Sequence, residues 1–158
     1  MDARLNIYGL LGLREGDAHV LRNAGGIATQ DTLRSLAISQ RKLGTREVIV
    51  IQHTGCGMAT FTDADFRDQI ARETGVRPLW STETFSDLDA NVRETIARIK
   101  ADPAIPRTES VRGFVYDVHA GALQEVLPDK SSSAATTGIG PGMAPQGLMW
   151  SPAVFPLG

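Results

Sequence analysis

The chain has 158 residues, 42% of them hydrophobic, which is the length of one ordinary domain with enough apolar material to bury a core. Its 16 basic residues are balanced by 18 acidic ones, and the net charge of −2 leaves no footprint for nucleic acid or an anionic membrane. No run of 18 apolar residues exists, and the opening MDARLNIYGLLGLREGD lacks the basic start and apolar stretch of a secretory signal, so the expectation is a soluble cytoplasmic protein with small-molecule or protein partners. The single cysteine, Cys56, agrees with a reducing compartment and is free for metal or thiolate chemistry.

In chain order, AHVLRNAGG predicts a short strand through Val20 and Leu21 that enters a tight loop at Gly25 and Gly26. DTLRSLAISQRKLG places Leu33, Leu36, Ala37 and Leu43 on roughly one face, with Asp31 at the start and Gly44 after the last basic residues, which predicts a helix over 31–43. REVIVIQH packs Val48 to Ile51 into an unbroken β-branched run, the pattern of a parallel strand buried on both faces, ending at His53. SDLDANVRETIARIKADP carries Leu88, Val92, Ile96 and Ile99 at helical spacing, with Ser86 or Asp87 as cap and Pro103 beyond the end. VRGFVYDV and ALQEVL flank His119, Ala120 and Gly121 and read as two strands joined by a short turn. The fold class is therefore α/β, a mostly parallel sheet flanked by helices. Residues 1–128 form the domain. Residues 129–158 form a low-complexity tail, with no charged residue after Lys130 and with Trp150 and Phe155 as possible docking residues. Its GIGPG follows no strand and opens no helix, so it is not read as a phosphate loop.

The chemistry concentrates in IVIQHTGCGMAT, residues 49–60, where His53 and Cys56 stand at the carboxyl end of a buried strand. Ligands of open α/β sheets collect there. Gly55 and Gly57 let the backbone turn so that both side chains can face one centre. Imidazole and thiolate are zinc donors, but a zinc site needs three or four, and this motif has two. A buried apolar cysteine beside an inert histidine is the bland reading of the same residues. His19 and His119, each isolated, read as locally satisfied or solvent-exposed, and Arg22 and Asn23 as residues that shape the loop beside the site.

HTGCGM after a buried strand, RNAGG before it, MDAR at the start and VRGFVYDV later together resemble the β-class carbonic anhydrases in their short actinobacterial form, over residues 1–128. The resemblance implies zinc as cofactor, carbon dioxide and bicarbonate as substrates, and a homodimer or homotetramer. It matches His53 and Cys56 to two of the three zinc ligands. It matches Asp2 and Arg4 to the Asp and Arg of a Cys-x-Asp-x-Arg motif, whose cysteine would precede Met1 by one position. By the same resemblance a central strand and an amino-terminal helix come before that cysteine, so Met1 is expected to be an internal methionine of a longer protein, with the tail a segment read out of register. In such a site zinc lowers the pKa of bound water from about 15.7 towards 7 and the resulting hydroxide attacks carbon dioxide, while an Asp held ionised by an Arg orients it. The alternatives are a decayed, non-catalytic binding or assembly module, a hydrolase of a related molecule such as carbon disulfide, and a thiol sensor built on Cys56.

Overall fold

The computed structural model describes residues 1–128, and the predicted tail lies outside the described residues. Four helices and three strands follow one another as α1 (Ile7–Leu11), α2 (Gln30–Lys42), β1 (Val48–His53), α3 (Asp63–Thr74), α4 (Leu88–Ala101), β2 (Val111–Asp117) and β3 (Ala122–Glu125), with 3-10 turns at Ala24–Gly26 and Gly57–Ala59. The described strands make one sheet in the order β1-β2-β3. β1 and β2 are parallel, with Val48 opposite Val111 and His53 opposite Tyr116, while β2 and β3 form the antiparallel hairpin expected around the Gly121 turn. No helix among the described residues is long and apolar enough to cross a membrane.

The core lies on one face of the sheet. Val48 and Val50 of β1 and Val111 of β2 meet Leu33 of α2 and Ile99 of α4, with Leu36, Ala37 and Ile96 packed around them. Val92 is fully buried and Ile99 is 2% exposed; each such side chain contributes roughly 1.5–3 kcal/mol by leaving water. α4 starts where Asp87 accepts a hydrogen bond from Ala90 N at 2.9 Å, one of the two caps expected. Beneath it the buried Gln52 donates through Nε2 to Asn91 Oδ1 at 2.7 Å, tying the first turn of α4 to the end of β1. α2 begins one residue earlier than expected because Thr29, not Asp31, caps it; Asp31 falls in the first turn, where its charge suits the helix dipole.

The segment 18–23 is not a strand. Its backbone is extended at Asn23, but no described strand lies beside it to take its hydrogen bonds, and pairing, not conformation alone, makes a strand. Its contacts are instead side-chain ones: Asn23 Oδ1 accepts from Ile27 N at 3.0 Å, and Asn23 Nδ2 donates to Ile27 O at 2.7 Å and Thr32 Oγ1 at 3.1 Å. Gly26, at φ +63°, passes so close to β1 that an added Cβ would sit 2.8 Å from Ile51 O, so the close backbone approach expected of this glycine pair is real.

α3 is joined to α4 by a connector, residues 75–87, that is pinned at several points. Asp63 Oδ1 accepts from Thr82 N at 2.6 Å and Thr82 Oγ1 at 2.9 Å, and Asp63 Oδ2 accepts from Arg67 at 3.0 Å. Thr82 first, then Arg67, pull the Asp63 carboxyl down to about 2. A depressed folded-state pKa stabilises the fold above the ordinary carboxylate range, and that contribution is lost as pH falls from about 4 towards 2. Asp63→Asn is therefore expected to speed proteolytic cleavage within residues 76–86 at neutral pH and to abolish the acid-dependent part of that cleavage between those two pH values. Equal cleavage of both proteins across the range would refute the clasp.

Candidate metal centre

The carboxyl end of β1 carries the histidine into a sharp turn. Thr54 N donates to Tyr116 O at 2.9 Å, the last rung of the parallel pair, and Thr54 Oγ1 accepts from Val118 N at 3.1 Å. Gly55 then adopts φ +63°, a conformation that favours glycine, and Cys56 opens the 3-10 turn with Ala59 N bonded to its carbonyl at 3.2 Å. The chain reverses within three residues of His53, so His53 and Cys56 share one end of the sheet.

The His53 side chain is about 90% buried, and its Nδ1 lies 2.9 Å from Thr54 O. A carbonyl oxygen only accepts, so Nδ1 carries a proton, and Nε2 is the ring nitrogen that a metal could take. Nε2 faces Asp2 Oδ2 at 3.6 Å. The Asp2 carboxylate is held in a fork: Arg4 Nε donates to Oδ1 at 2.9 Å, Arg4 Nη2 to Oδ2 at 2.6 Å, and Arg4 N to Oδ1 at 2.9 Å. These bonds, side-chain first, hold the Asp2 carboxyl far below the usual range, so it is ionised at any physiological pH. Arg4 Nη2 also reaches Gly55 O at 3.4 Å, which ties the fork to the turn that carries Cys56. The hydrogen bond to Asp2 and then that carboxylate's charge raise the Arg4 pKa.

Segment 1–5 is located by Arg22, whose Nη1 donates to Leu5 O at 2.9 Å and whose Nη2 donates to Asp2 O. Arg22, expected to shape the loop beside the site, instead grips the backbone of this amino-terminal segment. Asp2, Arg4, His53 and Cys56 all gather at this end of the sheet. His19 does not: its Nδ1 bonds Ser39 Oγ at 2.7 Å on α2. His119 is exposed in the hairpin turn. Thr54 and Gly55 contribute through backbone carbonyls, a role that has no side-chain signature in the sequence.

The donors fit zinc in kind but not in number. An imidazole oriented through Nδ1 by a carbonyl is the arrangement usual for a metal-bound histidine, and a thiol stands nearby. Yet among the described residues no three His, Cys, Asp or Glu side chains come close enough together to hold an ion, and a catalytic zinc needs at least three protein donors.

Residues 1–123 match the family model described as carbonic anhydrase. The chain is 56% identical over 128 residues to beta-carbonic anhydrase 1 of Mycobacterium tuberculosis, covering 81% of this chain and 78% of that protein. The chain belongs to the β-class carbonic anhydrases. The carbonic anhydrase of Streptococcus mutans superposes with a TM-score of 0.76 at 46% identity, over 80% of this chain and 77% of that one. A carbon disulfide hydrolase of Saccharolobus solfataricus is 36% identical over 153 residues, covering 79% of this chain and 73% of that protein. The α/β fold read from the sequence is thus the β-carbonic anhydrase fold, and the family is one of lyases that interconvert carbon dioxide and bicarbonate.

Proposed function

We propose that the chain catalyses the reversible hydration of carbon dioxide to bicarbonate and a proton at the end of β1, with zinc as cofactor held in part by His53 Nε2 and Cys56 Sγ. The observation that carries this reading is the pairing of an Nδ1-protonated, buried His53 with an Asp2 carboxylate fixed in an arginine fork 3.6 Å from Nε2. Thr54 O fixes the histidine tautomer. Asp2, permanently ionised, can only accept, so it takes a hydrogen bond from the attacking water or hydroxide and turns its lone pair towards the carbon of the substrate. Arg4 holds the Asp2 carboxylate in place and anchors it to Gly55. The enzyme is expected to work as a cytoplasmic homodimer or homotetramer, and to take no nucleic acid or membrane partner.

Stopped-flow hydration of carbon dioxide, with zinc content measured on the same sample, tests this reading. Zinc-loaded protein that hydrates carbon dioxide no faster than buffer would sink it. Asp2→Asn is expected to keep the metal and to lower kcat/KM by about 10- to 100-fold, because the neutral amide presents both a donor and an acceptor where only an acceptor serves. A second reading, hydrolysis of carbon disulfide, is favoured by the identity to the carbon disulfide hydrolases. Release of hydrogen sulfide with a kcat/KM above that for carbon dioxide hydration would establish it.

A further inference from the structure

His53 stands between two hydrogen-bond acceptors. Its Nδ1 lies 2.9 Å from Thr54 O, and its Nε2 lies 3.6 Å from Asp2 Oδ2. A neutral imidazole has one N–H to give, so the two acceptors compete for it. By chemistry alone Asp2 should win, because an ionised carboxylate accepts about twice as strongly as a neutral carbonyl. Distance decides the other way: 2.9 Å is a hydrogen bond and 3.6 Å is not. The tautomer of the ring therefore rests on where the two acceptors are held, and a small movement of either would reverse it.

Each acceptor has its own anchor. Arg4 takes both oxygens of the Asp2 carboxylate and so keeps it from closing on the ring. Thr54 O is a backbone atom, so what holds it is whatever holds Thr54. That residue has two attachments besides the ring, and both go to the end of β2. Thr54 N donates to Tyr116 O at 2.9 Å, and Thr54 Oγ1 accepts from Val118 N at 3.1 Å. The first bond alone leaves the residue free to turn about it; the second, through the side chain, removes that freedom. Gly55, at φ +63°, follows with no side chain to add a restraint. The far partner is fixed as well. Val118 lies in the β2–β3 turn, where Asp117 Oδ1 accepts from His119 N at 2.8 Å and Ala120 N at 3.0 Å, and Gly121 N donates to Asp117 O at 2.9 Å. The Val118 N–H thus meets Thr54 from a closed frame.

We propose that Thr54, through its hydroxyl, is a positioning residue: bonded to Val118 N, it holds Thr54 O against His53 Nδ1 and keeps the proton of the neutral ring off the nitrogen that faces Asp2. This role rests on the reading of the end of β1 as the active centre. Without the hydroxyl the carbonyl drifts, the ring proton moves to Nε2, and Nε2–H donates to Asp2 Oδ2. One change then costs the site twice. Nε2 is no longer open to a metal, and an acceptor oxygen of Asp2 is taken. Valine at this position has the shape of threonine without its acceptor, whereas serine keeps the acceptor without the methyl, so the two substitutions separate the hydroxyl from the bulk of the side chain.

Nitrogen-15 NMR of the His53 ring reads the tautomer. It is recorded on the full chain after chelator treatment, at alkaline pH, so that neither a metal nor a second proton fixes the ring. The parent should be mainly Nδ1–H. Thr54→Val should lower the ratio of Nδ1–H to Nε2–H by about tenfold or more, the scale on which partners of a metal-binding histidine act, and Thr54→Ser should restore most of it. In the untreated protein, exchange of the Val118 amide proton should speed by about tenfold in Thr54→Val, as expected for the loss of one hydrogen bond. Asp117→Ala opens the turn but keeps the hydroxyl, so it should move the ratio in the same direction by less, and it carries the test if Thr54→Val does not fold. A parent ring that is mainly Nε2–H would overturn the proposal. So would a ratio unmoved by Thr54→Val, or by Asp117→Ala where the first does not fold, and so would a serine variant that behaves as the valine one does. Each of these would leave the hydration of carbon dioxide to be decided by its own rate measurement.

Discussion

A Gly113→Val variant is expected to be destabilised by about 3 kcal/mol, a large part of the roughly 5–15 kcal/mol that holds a domain of this size folded. Gly113 lies on the face of β2 that meets α4. A Cβ added there would come within 2.6 Å of Ile96 Cδ1 and closer still to Val92 Cγ1. Ile96 can turn its tip away, but Val92 is fully buried and its branched side chain has essentially one helical rotamer, so the helix itself must lift. Lifting α4 opens the contact that buries Ile99 and strains the Gln52–Asn91 bond at the end of β1. Urea denaturation measures the loss. Pairing the change with Val92→Ala should recover part of it, because the second substitution removes the atom in the way. A midpoint unmoved by Gly113→Val would show that α4 is held elsewhere.

Gly113 also shows where sequence reasoning stops. The β-branched run 48–51 and the 3.6-residue spacing of Val92, Ile96 and Ile99 identify β1 and α4, because each element's own burial writes its period into its residues. The glycine between Arg112 and Phe114 carries no such signal, since its role depends on which helix crosses above it. α1 is five residues long and buries no residue, and α3 buries none either, so neither shows an apolar stripe. For α3 the local signs were present all the same: Thr62 accepts from Asp65 N at the start and Gly75 is left-handed at the end. Val20 and Leu21 misled in the opposite direction, because apolar extended residues predict a strand only when a neighbouring strand pairs with them. At the candidate site, His53 and Cys56 stand out by residue type and spacing, and Asp2 and Arg4 only by resemblance. The carbonyls of Thr54 and Gly55, which fix the imidazole tautomer and anchor Arg4, are backbone atoms that any sequence would supply.

Removing an imidazole is the sharper test of the proposed site: where zinc is held there, His53→Ala is expected to release it and to lower carbon dioxide hydration by about 1,000-fold or more. The magnitude follows from the several kcal/mol that Lewis-acid assistance contributes, at 1.36 kcal/mol for each factor of ten. The fold should survive, because His53 makes no buried hydrogen bond except to Thr54 O, and that carbonyl stands at a turn where water can replace the lost donor. Cys56→Ser should match it in direction, since a serine hydroxyl does not ionise near neutrality as a thiol can and is a poorer zinc donor. His53→Gln separates metal loss from a general disturbance of the turn: its amide can still donate to Thr54 O, but its geometry does not reproduce the Nε2 lone pair. Metal content by mass spectrometry under native conditions, read beside the rate, decides among these. His53→Ala protein that keeps both its zinc and its rate would remove His53 from the ligand set, whereas protein that keeps zinc and loses the rate would move its role from holding the metal to placing Asp2, the carboxylate 3.6 Å away.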